Sequence, residues 1–476
     1  MSKLSRTSFR KTKLVATIGP ASSNKEVIEA FIREGVDVFR INFSHGTHDE
    51  HQEIIRNIRA IADEYGQHVA ILGDLQGPKI RVVDVPDDGI RIDVGDRIRI
   101  ASTGVKADLN IDYPALLTDI QQGKSIYIDD GKIKLVVEQI ARDHLVTRVV
   151  EGGVVLPKKG VNFPDSPLSV ASPTSKDVRD LQFAIRQDVD WIALSFVRSS
   201  KDILRLKDII DEYGAFIKVV AKIEKPEAVK NIESIIEVSD GVMVARGDLG
   251  VEMPMEEVPM IQKRIVWLCR KSAKPSIVAT QVMESMVRRP TPSRAEVSDV
   301  ANAVIDGADA IMLSNETSVG KYPVDVIKMV DRIIQRAEQE ESIYYRLNEV
   351  APRSPTFLPD IVCYNAAAMA RETHACGIVG MTRSGFTAFK VASHRPFPPI
   401  FVFSDNSKLL QTLRMVWGVE ASYYDGYEST DKTFEDLIAI LKKKGYVVPN
   451  DVLIFTASMP IHQRGRTNTI HLRRIN

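Results

Sequence analysis

The sequence is poor in cysteine. Its three cysteines, Cys269, Cys363 and Cys376, form no CxxC pair, and each lies in an apolar stretch. This pattern excludes a disulfide-stabilised fold and argues against a thiolate metal site, because both need paired or closely spaced cysteines. We expect three reduced thiols in the core of a cytoplasmic protein.

Net charge and long apolar runs are also missing. Lys and Arg together number 63, as do Asp and Glu, so the formal net charge at pH 7 is +0. No overall field therefore attracts nucleic acid or an anionic membrane, and we expect neither as a partner. No apolar run approaches the length of a membrane span. The basic start, MSKLSRTSFRKTK, lacks the apolar core of a signal peptide.

What the sequence does contain is a repeated alternation of short apolar strands and amphipathic helices. Continuous apolar runs are typical of parallel strands that are buried on both faces, and stretches such as SKDILRLKDIIDEYG place apolar residues at helical spacing. The predicted strands are KLVATIG (13–19), DVFRINF (37–43), VAILGDL (69–75), DWIALSF (190–196), IKVVAKI (217–223), GVMVARG (241–247), PSIVAT (275–280) and DAIMLS (309–314). Eight such units predict an α/β fold built on a closed (β/α)8 TIM barrel.

The regular spacing is broken once, between the third and fourth strands. Their first residues, Val69 and Asp190, are 121 positions apart, and the surplus of about 90 residues is enough for a small domain. Within it, GIRIDVGDRIRIAS and SIYIDDGKIKLVVEQI alternate apolar and polar residues, which predicts an inserted all-β domain of antiparallel strands. Because the insertion follows a strand at the face where barrel active sites lie, it is placed to act as a lid.

The last part of the chain predicts a further domain. A charged and then proline-rich stretch follows Ala337, after which strands and helices alternate again, and this pattern favours an open α/β sheet. The expected division is 1–77 for the first part of the barrel, 78–172 for the lid, 173–345 for the second part of the barrel and 346–476 for the C-terminal domain.

Polar residues gather at the C-terminal ends of the predicted barrel strands. In KVVAKIEKPEA (218–228), the side chains of Lys222 and Glu224 point to the same side of the strand. The other strand ends supply Arg40, Asn42, Ser44, Asp74, Ser195, Arg246, Asp248, Thr280, Ser314 and Glu316. In a barrel these ends converge on one mouth, where catalytic groups sit. A purely structural ion pair between Lys222 and Glu224 is the alternative.

The residue types at this mouth suit a small, multiply anionic substrate. Glu224 and Asp248 end adjacent strands and are suitable oxygen ligands for one Mg²⁺, while Arg40 and Lys222 are anion binders. In ARGDLGVE, glycines flank Asp248 at an expected tight turn, whose bare N–H groups would hold a carboxylate. The sequence has no GxxxxGK[ST], HExxH or GxSxG motif, so any nucleotide is held without a P-loop.

Several motifs at these strand ends resemble those of the pyruvate kinase family. They are NFSHG (42–46), GDLQGPKIR (73–81), KKGVN (158–162), AKIEKPEAV (221–229), VARGDLGVE (244–252), ATQVMESM (279–286), PTPSRAEVSDVANAVIDGADAIMLSNET (290–317) and GKYPV (320–324). The resemblance covers residues 11 to about 340, in family order, and the order of domains also matches. It implies an enzyme that moves the phosphoryl group of phosphoenolpyruvate to ADP, giving ATP and pyruvate in the last step of glycolysis.

The resemblance also implies roles for individual residues. Lys222 would touch the phosphoryl group in the transition state, Arg40 would steady it, and Thr280 would lie by the carbon that receives a proton. Glu224 and Asp248 would hold Mg²⁺, for which Mn²⁺ can substitute, and the backbone of Gly247 and Asp248 would take the substrate carboxylate. Residues at nucleotide-contacting positions are Asn42, His45, Arg81 and Lys159. Each also has a structural alternative, such as a turn former or a strand terminus, and Ser314 and Glu316 are assigned supporting roles.

A potassium site is implied by the same motifs, with one departure. Asn42, Ser44, Asp74 and the Leu75 carbonyl match the K⁺-binding positions of the family. Members that require K⁺ typically carry glutamate where this chain has Lys79. We expect the ammonium of Lys79 to replace the charge of the mobile cation, so that K⁺ is not required. The alternative is that Lys79 is a solvated charge at the lid hinge.

The C-terminal domain carries a candidate effector site. In GMTRSGFTAFKVASHR a strand leads into a helix N-terminus, where the family binds the phosphate of an allosteric sugar phosphate. The residues concerned are Thr382, Arg383, Ser384, Gly385 and Thr387, with Arg464 and Arg466 for the remainder of the ligand. An ordinary helix cap is the structural alternative. A homotetramer is implied by the resemblance only.

Two other functions fit parts of the sequence. One is a different metal-dependent barrel enzyme that acts on pyruvate or phosphoenolpyruvate, such as an aldolase-like lyase. The other is a catalytically silent sensor that binds metabolites through its C-terminal domain. The lid insertion and NFSHG argue against the first, and the joint presence of Lys222, Glu224, Asp248 and Thr280 argues against the second.

Overall fold

Eight parallel strands form a closed barrel at the centre of the protein, as the sequence predicts. The computed structural model describes residues 9–426, 429–459 and 466–476. The first part of the barrel consists of β1 (Lys13–Thr17), α1 (Lys25–Arg33), β2 (Val38–Asn42), α2 (His48–Glu64) and β3 (Ala70–Leu75). Side-chain caps start these helices, since Asn24 accepts a hydrogen bond from the Val27 N–H and Thr47 forms a capping box with Glu50.

The inserted lid lies between the third and fourth barrel strands. Its elements are β4 (Val82–Val83), β5 (Ile90–Ile92), β6 (Arg97–Ser102), β7 (Leu109–Ile111), α3 (Leu116–Asp119), β8 (Ser125–Ile128), β9 (Ile133–Ile140), β10 (Leu145–Glu151), β11 (Gly153–Val155) and β12 (Val161–Asn162). A seven-stranded sheet and a two-stranded ribbon enclose a separate apolar core.

The lid departs from the predicted all-antiparallel arrangement in one strand pair and in the short helix α3. Strands β6 and β7 run parallel to each other. The intervening residues loop back before β7 begins, and the Asp108 side chain fastens this loop to the Arg99 backbone N–H at 2.9 Å. Alternation along a strand predicts which side chains are buried but not the direction of its neighbour, so this pair could not be predicted.

The chain then completes the barrel. The elements are α4 (Ser175–Arg186), β13 (Trp191–Leu194), α5 (Ser200–Glu212), β14 (Lys218–Ile223), α6 (Pro226–Lys230), α7 (Ile232–Val238), β15 (Gly241–Ala245), α8 (Arg246–Glu252), α9 (Val258–Lys271), β16 (Ser276–Ala279), α10 (Arg294–Asp306), β17 (Ala310–Leu313), α11 (Asn315–Ser318) and α12 (Pro323–Ala337). Strand β17 pairs with β1 and closes the ring. Alternate strand residues fill the barrel interior, as with Val15 and Leu72, while their neighbours pack against the helices.

The C-terminal domain is an open five-stranded sheet with helices, as predicted. Its elements are α13 (Phe357–Glu372), β18 (Gly377–Met381), α14 (Phe386–Ser393), β19 (Ile400–Ser404), α15 (Ser407–Thr412), β20 (Val419–Tyr423), α16 (Thr430–Lys443), β21 (Val452–Ala457) and β22 (Thr469–Arg474). The strand order is β20–β19–β18–β21–β22, with only the last pair antiparallel. None of the helices in the described ranges is long and apolar enough to cross a membrane. Cys269 and Cys363 are buried, and Cys376 is half-buried.

Aspartates mark the starts of four barrel strands. Each accepts a hydrogen bond from a backbone N–H of the preceding strand in the ring: Asp37 from Leu14 at 2.9 Å, Asp190 from Ile71 at 2.7 Å, Asp240 from Val219 at 3.1 Å and Asp309 from Ser276 at 3.0 Å. The carboxylates thus satisfy N–H groups that have no ladder partner at the edge of the barrel.

The C-terminal domain docks on this same face through cations. Arg414 contacts Asp37 at 2.6 Å, Lys408 contacts Asp190 at 3.0 Å and Arg395 contacts Asp309 at 3.0 Å. The pKa of Asp37 is lowered: burial opposes ionisation, but Lys13, Arg414 and Arg10 together outweigh it. The domain therefore covers the end of the barrel opposite to the mouth.

A buried histidine lies in the same region. His394 directly follows α14, and its Nδ1 atom accepts a hydrogen bond from the Asn348 N–H at 3.2 Å. Burial lowers the pKa of His394 to about 4, and the nearby cations Lys390 and Arg270 act in the same direction against Asp360. The ring is therefore neutral in the folded protein at pH 7.

We predict that acid destabilises the protein through His394. Because its pKa is lower when folded, the unfolded chain takes up the proton first, so stability is lost as the pH falls from about 6.5 towards 4. At pH 5 the protonation of His394 in the unfolded chain lowers the free energy of unfolding by about 2 kcal/mol. The measurement is the thermal unfolding midpoint at pH 7 and pH 5 for the parent and for His394→Asn, whose amide oxygen can accept the same hydrogen bond without titrating. An equal decrease in both proteins would contradict the assignment.

Candidate active site

A cleft of about 1870 Å³ opens at the C-terminal ends of the barrel strands. It is lined by Thr17, Arg40, Asn42, Asp248, Thr280 and Ser314, among others. The lid borders the same cleft through Asp130. It also contacts the barrel directly, since the Asn162 side-chain amide donates to Glu252 of α8 at 2.6 Å. The predicted convergence of the strand ends on one mouth is therefore observed.

Asp74 joins the cleft-lining Arg40 to Lys222, which is not itself among the residues that line the cleft. Lys222 is surrounded by acceptors. Its ammonium nitrogen lies 3.0 Å from Glu224 Oε1, 3.2 Å from Asp74 Oδ1 and 2.6 Å from Ser195 Oγ. The lysine is buried, and burial by itself lowers its pKa, but the carboxylates of Asp74 and Glu224 outweigh this effect and raise it. Lys222 is therefore a fixed positive charge with little solvent around it.

Arg40 extends the positive charge along the cleft. Its Nε donates to Asp74 at 2.7 Å, and one terminal nitrogen donates to the Thr17 hydroxyl at 2.9 Å. Asp74 lies between Arg40 and Lys222. Burial opposes its ionisation, but these two cations outweigh that effect and lower its pKa. One carboxylate thus orients two cations whose remaining charge is available to an anion.

Glu224 and Asp248 are the two acidic groups that the sequence predicts as metal ligands. Glu224 accepts a hydrogen bond from the Phe196 N–H at 2.7 Å. Burial raises the pKa of Glu224; Lys222 opposes this effect, and the Asp248 carboxylate adds to it. A divalent cation between the two carboxylates would relieve their repulsion, so this pair fits Mg²⁺. Among the described residues no group of three or more His, Cys, Asp or Glu side chains could hold a metal, and Mg²⁺ commonly uses only one or two carboxylates together with substrate oxygens.

The region around Asp248 differs from the predicted tight turn. Helix α8 begins at Arg246, and neither Gly247 nor Gly250 has the positive φ of a left-handed turn. Leu249 is fully buried and anchors the helix by its side chain. The Gly247 N–H is not bare, because it donates to Thr280 Oγ1 at 2.7 Å. The expected group of free amides is thus a helix N-terminus with one amide already bound.

Thr280 is held in an unusual conformation. It has φ +66°, and Gln281 follows with φ +51°; such angles are uncommon for residues other than glycine. Arg246 stabilises this turn by donating to the Thr280 carbonyl at 3.0 Å and the Gln281 carbonyl at 3.3 Å, and Asp299 pairs with Arg246 at 2.7 Å. Thr280 lines the cleft, and its hydroxyl accepts from the Gly247 N–H and donates to the Ala279 carbonyl at 2.6 Å.

Glu316 and Ser314 follow the last barrel strand and differ in their hydrogen bonding. Glu316 is fully buried and accepts hydrogen bonds from the backbone N–H groups of Met283 and Ser314, at 2.9 and 2.7 Å. It therefore joins the ends of two neighbouring strands. The Ser314 hydroxyl is buried without a partner and lines the cleft.

The four nucleotide candidates divide into two groups. Asn42 and His45 line the cleft, whereas Arg81 and Lys159 are not among its lining residues. Lys159 pairs with Asp129 at 2.7 Å within the lid, and Arg81 donates to the Lys158 carbonyl at 2.9 Å. Burial lowers the pKa of His45, and the nearby charges of Arg81 and Lys79 lower it further. The structure thus places two of the four candidates at the cleft and two in the lid, where Arg81 is near enough to His45 to affect its pKa.

Three of the four ligand groups predicted to bind K⁺ have hydrogen-bond or ion-pair partners within the protein. Asp74 pairs with Arg40 and Lys222, and the Leu75 carbonyl accepts the Ser195 hydroxyl at 2.7 Å. The Asn42 side chain accepts the Ser44 N–H at 3.1 Å. Lys79 is half-buried and lines the cleft.

Five of the effector candidates, from Thr382 to Thr387, lie around the start of α14. Gly385 adopts φ +83° there, and its N–H donates to Thr382 Oγ1 at 2.9 Å. Thr387 pairs with Thr467 at 2.5 Å, and Arg466 donates to the Pro355 carbonyl at 2.7 Å. Arg383 lies 4.0 Å from Asp405 and Ser384 is exposed, whereas Arg464 lies outside the described residues.

Several contacts at the site were not expected from the sequence. Thr17 orients Arg40, Arg246 holds the Thr280 turn, and Ser195 contacts Lys222. Arg246 and Ser195 were recognised as strand-end residues without a specific role. Thr17 offered a similar signal, because it is the polar residue that ends the first strand, but ordinary strands also end in threonine.

Comparisons with known proteins agree with this geometry. The family profile described as "Pyruvate kinase, barrel domain" matches residues 9–327, and that described as "Pyruvate kinase, alpha/beta domain" matches residues 360–472. "Pyruvate kinase 2" of Synechocystis is 43% identical over 470 residues, covering 97% of this chain and 78% of the relative. Pyruvate kinase of Corynebacterium glutamicum is 41% identical over 466 residues, covering 97% of each chain.

A solved structure gives the same result. The crystal structure of a pyruvate kinase from Cryptosporidium parvum superposes with a TM-score of 0.93 at 31% sequence identity, covering 98% of this chain and 96% of that one. Both domains that the profiles describe are present, and relatives with about 40% identity extend over nearly the whole sequence. The chain therefore belongs to the pyruvate kinase family of phosphotransferases.

Proposed function

We propose that the enzyme transfers the phosphoryl group of phosphoenolpyruvate to ADP at the cleft, in a reaction that depends on Mg²⁺, with Mn²⁺ as a substitute. The observation that carries this proposal is the position of Lys222 between Asp74 and Glu224, beside Arg40. Phosphoryl transfer needs positive charge around the moving group more than it needs covalent chemistry. Lys222 supplies that charge in a buried site, where it is only weakly screened.

The other residues of the cleft take complementary roles in this proposal. Arg40 binds the phosphate, the N-terminus of α8 at Gly247 and Asp248 binds the carboxylate, and Glu224 and Asp248 hold the divalent cation. When bound, that cation would supply positive charge that stabilises the negative charge of the reacting substrate. Thr280, at the cleft wall, orients the water that protonates the enolate. Asn42, His45, Arg81 and Lys159 contact ADP, the last two after the lid closes on the cleft.

A coupled assay tests both the function and the metal ligands. Phosphoenolpyruvate, ADP and Mg²⁺ should yield pyruvate and ATP. Glu224→Gln and Asp248→Asn should each raise the half-saturating Mg²⁺ concentration by about tenfold or more, because each removes a hard anionic ligand. Asp130→Asn is the matched control, since it removes a carboxylate from the same cleft without touching the proposed pair. Unchanged metal dependence in both test variants would reject the metal site, and no pyruvate from the parent would reject the function.

We also propose that the enzyme does not require K⁺. The support is that Asp74 and the Leu75 carbonyl are already engaged by protein donors and that Lys79 adds a positive charge at the cleft. The parent should therefore have nearly full activity with tetramethylammonium as its sole monovalent cation.

The potassium prediction is checked at matched ionic strength with and without KCl. The activity of the parent should change by less than about twofold when KCl is added, which allows for screening effects. Lys79→Glu should become K⁺-dependent, and Lys79→Gln is the control that removes the charge without adding an anion. Tenfold activation of the parent by KCl would show that Lys79 does not replace the cation.

Allosteric activation by a phosphorylated metabolite is a further proposal. It is supported by the exposed Ser384 and the left-handed Gly385 at the start of α14. Ser384→Glu should abolish activation by sugar phosphates or nucleoside monophosphates while basal activity remains, because its carboxylate repels the phosphate. Ser429→Glu places the same charge at the N-terminus of α16 and is the control. If no such metabolite activates the parent, α14 has only an ordinary cap.

In this proposal, the oligomeric state and the cellular location of the enzyme follow from its family membership. We place the enzyme in the cytoplasm as a homotetramer. Met255, Met260 and Trp267 are 75%, 65% and 49% exposed in or near α9, and this apolar surface is one that a second copy would cover.

A further inference from the structure

Ser195 connects three parts of the active site although it has no assigned role in the reaction. It directly follows β13 and is buried. Its Oγ lies 2.6 Å from the Lys222 ammonium nitrogen and 2.7 Å from the Leu75 carbonyl oxygen. Asp74 Oδ1 is a longer neighbour, at 3.4 Å.

The direction of these hydrogen bonds is fixed by chemistry. An ammonium can only donate, so Ser195 must accept from Lys222. The single hydroxyl proton is then free to go to the Leu75 carbonyl, which can only accept. Ser195 thus presents a lone pair to Lys222 and cannot easily rotate away.

The number of protons on the Lys222 ammonium shows why its contact with Ser195 matters. Lys222 carries three ammonium protons, and three protein acceptors surround it: Ser195, Asp74 and Glu224. If Lys222 is to contact a phosphoryl group, one of these three contacts must be given up. Asp74 is anchored through its other oxygen by Arg40. Glu224 is the proposed metal ligand, so its contact with Lys222 is the one that yields.

Ser195 itself is rigidly supported. A Cβ atom at Gly77 would lie 2.9 Å from the Ser195 carbonyl oxygen and 3.0 Å from the Ser195 Cβ, so only glycine permits this close packing. The next residue, Phe196, has φ +55° and directs its N–H to Glu224. The end of β13 therefore holds Lys222 by a side chain and Glu224 by the backbone.

We infer that Ser195 is a positioning residue for phosphoryl transfer. Together with Asp74 it holds two protons of the Lys222 ammonium, so the third, which faces Glu224 at 3.0 Å, is the one left for the moving phosphoryl group. This inference rests on the role proposed above for Lys222. It predicts an effect on turnover rather than on substrate binding, since the aimed proton matters most when charge develops on the moving phosphoryl group.

The test compares two serine-to-alanine variants. Ser195→Ala should lower kcat by about tenfold or more and change KM for phosphoenolpyruvate by less than about threefold. Ser239→Ala is the matched control: Ser239 is also buried, and its hydroxyl also donates to a carbonyl, that of Ile235, at 2.7 Å, but it lies at the opposite face of the barrel. Ser239→Ala should leave kcat within about twofold of the parental value. Thermal unfolding of both variants separates loss of stability from loss of positioning.

A second background shows whether Ser195 acts through Lys222. In Lys222→Arg, Ser195→Ala should lower kcat further by less than about twofold, because residues that act as a unit are not additive. Equal kcat for Ser195→Ala and Ser239→Ala, or a change confined to KM, would overturn the inference. If Lys222→Arg and Lys222→Met both keep parental turnover, the proposed role of Lys222 fails instead, so the two failures are distinguishable.

Discussion

All eight barrel strands run in one direction, so every strand begins at one face and ends at the other. This constraint separates the two charged regions of the molecule. The strand starts carry the aspartates that receive the C-terminal domain, and the strand ends carry the cations and carboxylates of the cleft. Charges buried at either face are tolerable only when they are paired, since desolvation costs several kcal/mol for each ion. The pairs around Lys222 lie beside the cleft, to which Asp74 and Arg40 connect them, whereas the pairs around Asp37 lie at the contact between two domains.

The barrel, the lid and the third domain were all predictable from the sequence, because apolar runs, alternating strands and one long gap in spacing report directly on burial. The strand-end residues could also be predicted, since the fold brings them together wherever the strands stop. Lys222, Glu224 and Asp74 are examples. Their convergence requires only that each strand begins and ends about where the apolar run does.

The remaining details depend on tertiary contacts that no local pattern contains. The helix that starts at Arg246 replaced an expected turn because Leu249 is buried, and the glycines on each side gave the wrong signal. The parallel pair of β6 and β7 depends on a loop that Asp108 fastens. The positions of Arg81 and Lys159 relative to the cleft depend on the placement of the lid, which alternation cannot specify.

The aspartates at the strand starts also link the folding of two domains. Asp37, Asp190 and Asp309 each bind a backbone N–H of the barrel and a cation of the C-terminal domain. If that domain separated, each carboxylate would lose a counter-ion while still bonded to the barrel strands. Asp309 and Arg395 would lose each other, whereas Asp37 would keep Arg10 and Lys13, and Asp190 would keep Arg59. The barrel and the C-terminal domain are therefore expected to unfold in one cooperative transition, although each has its own hydrophobic core. The lid has a separate core, and its strands carry none of these aspartates. We therefore expect the lid to unfold independently of the other two domains.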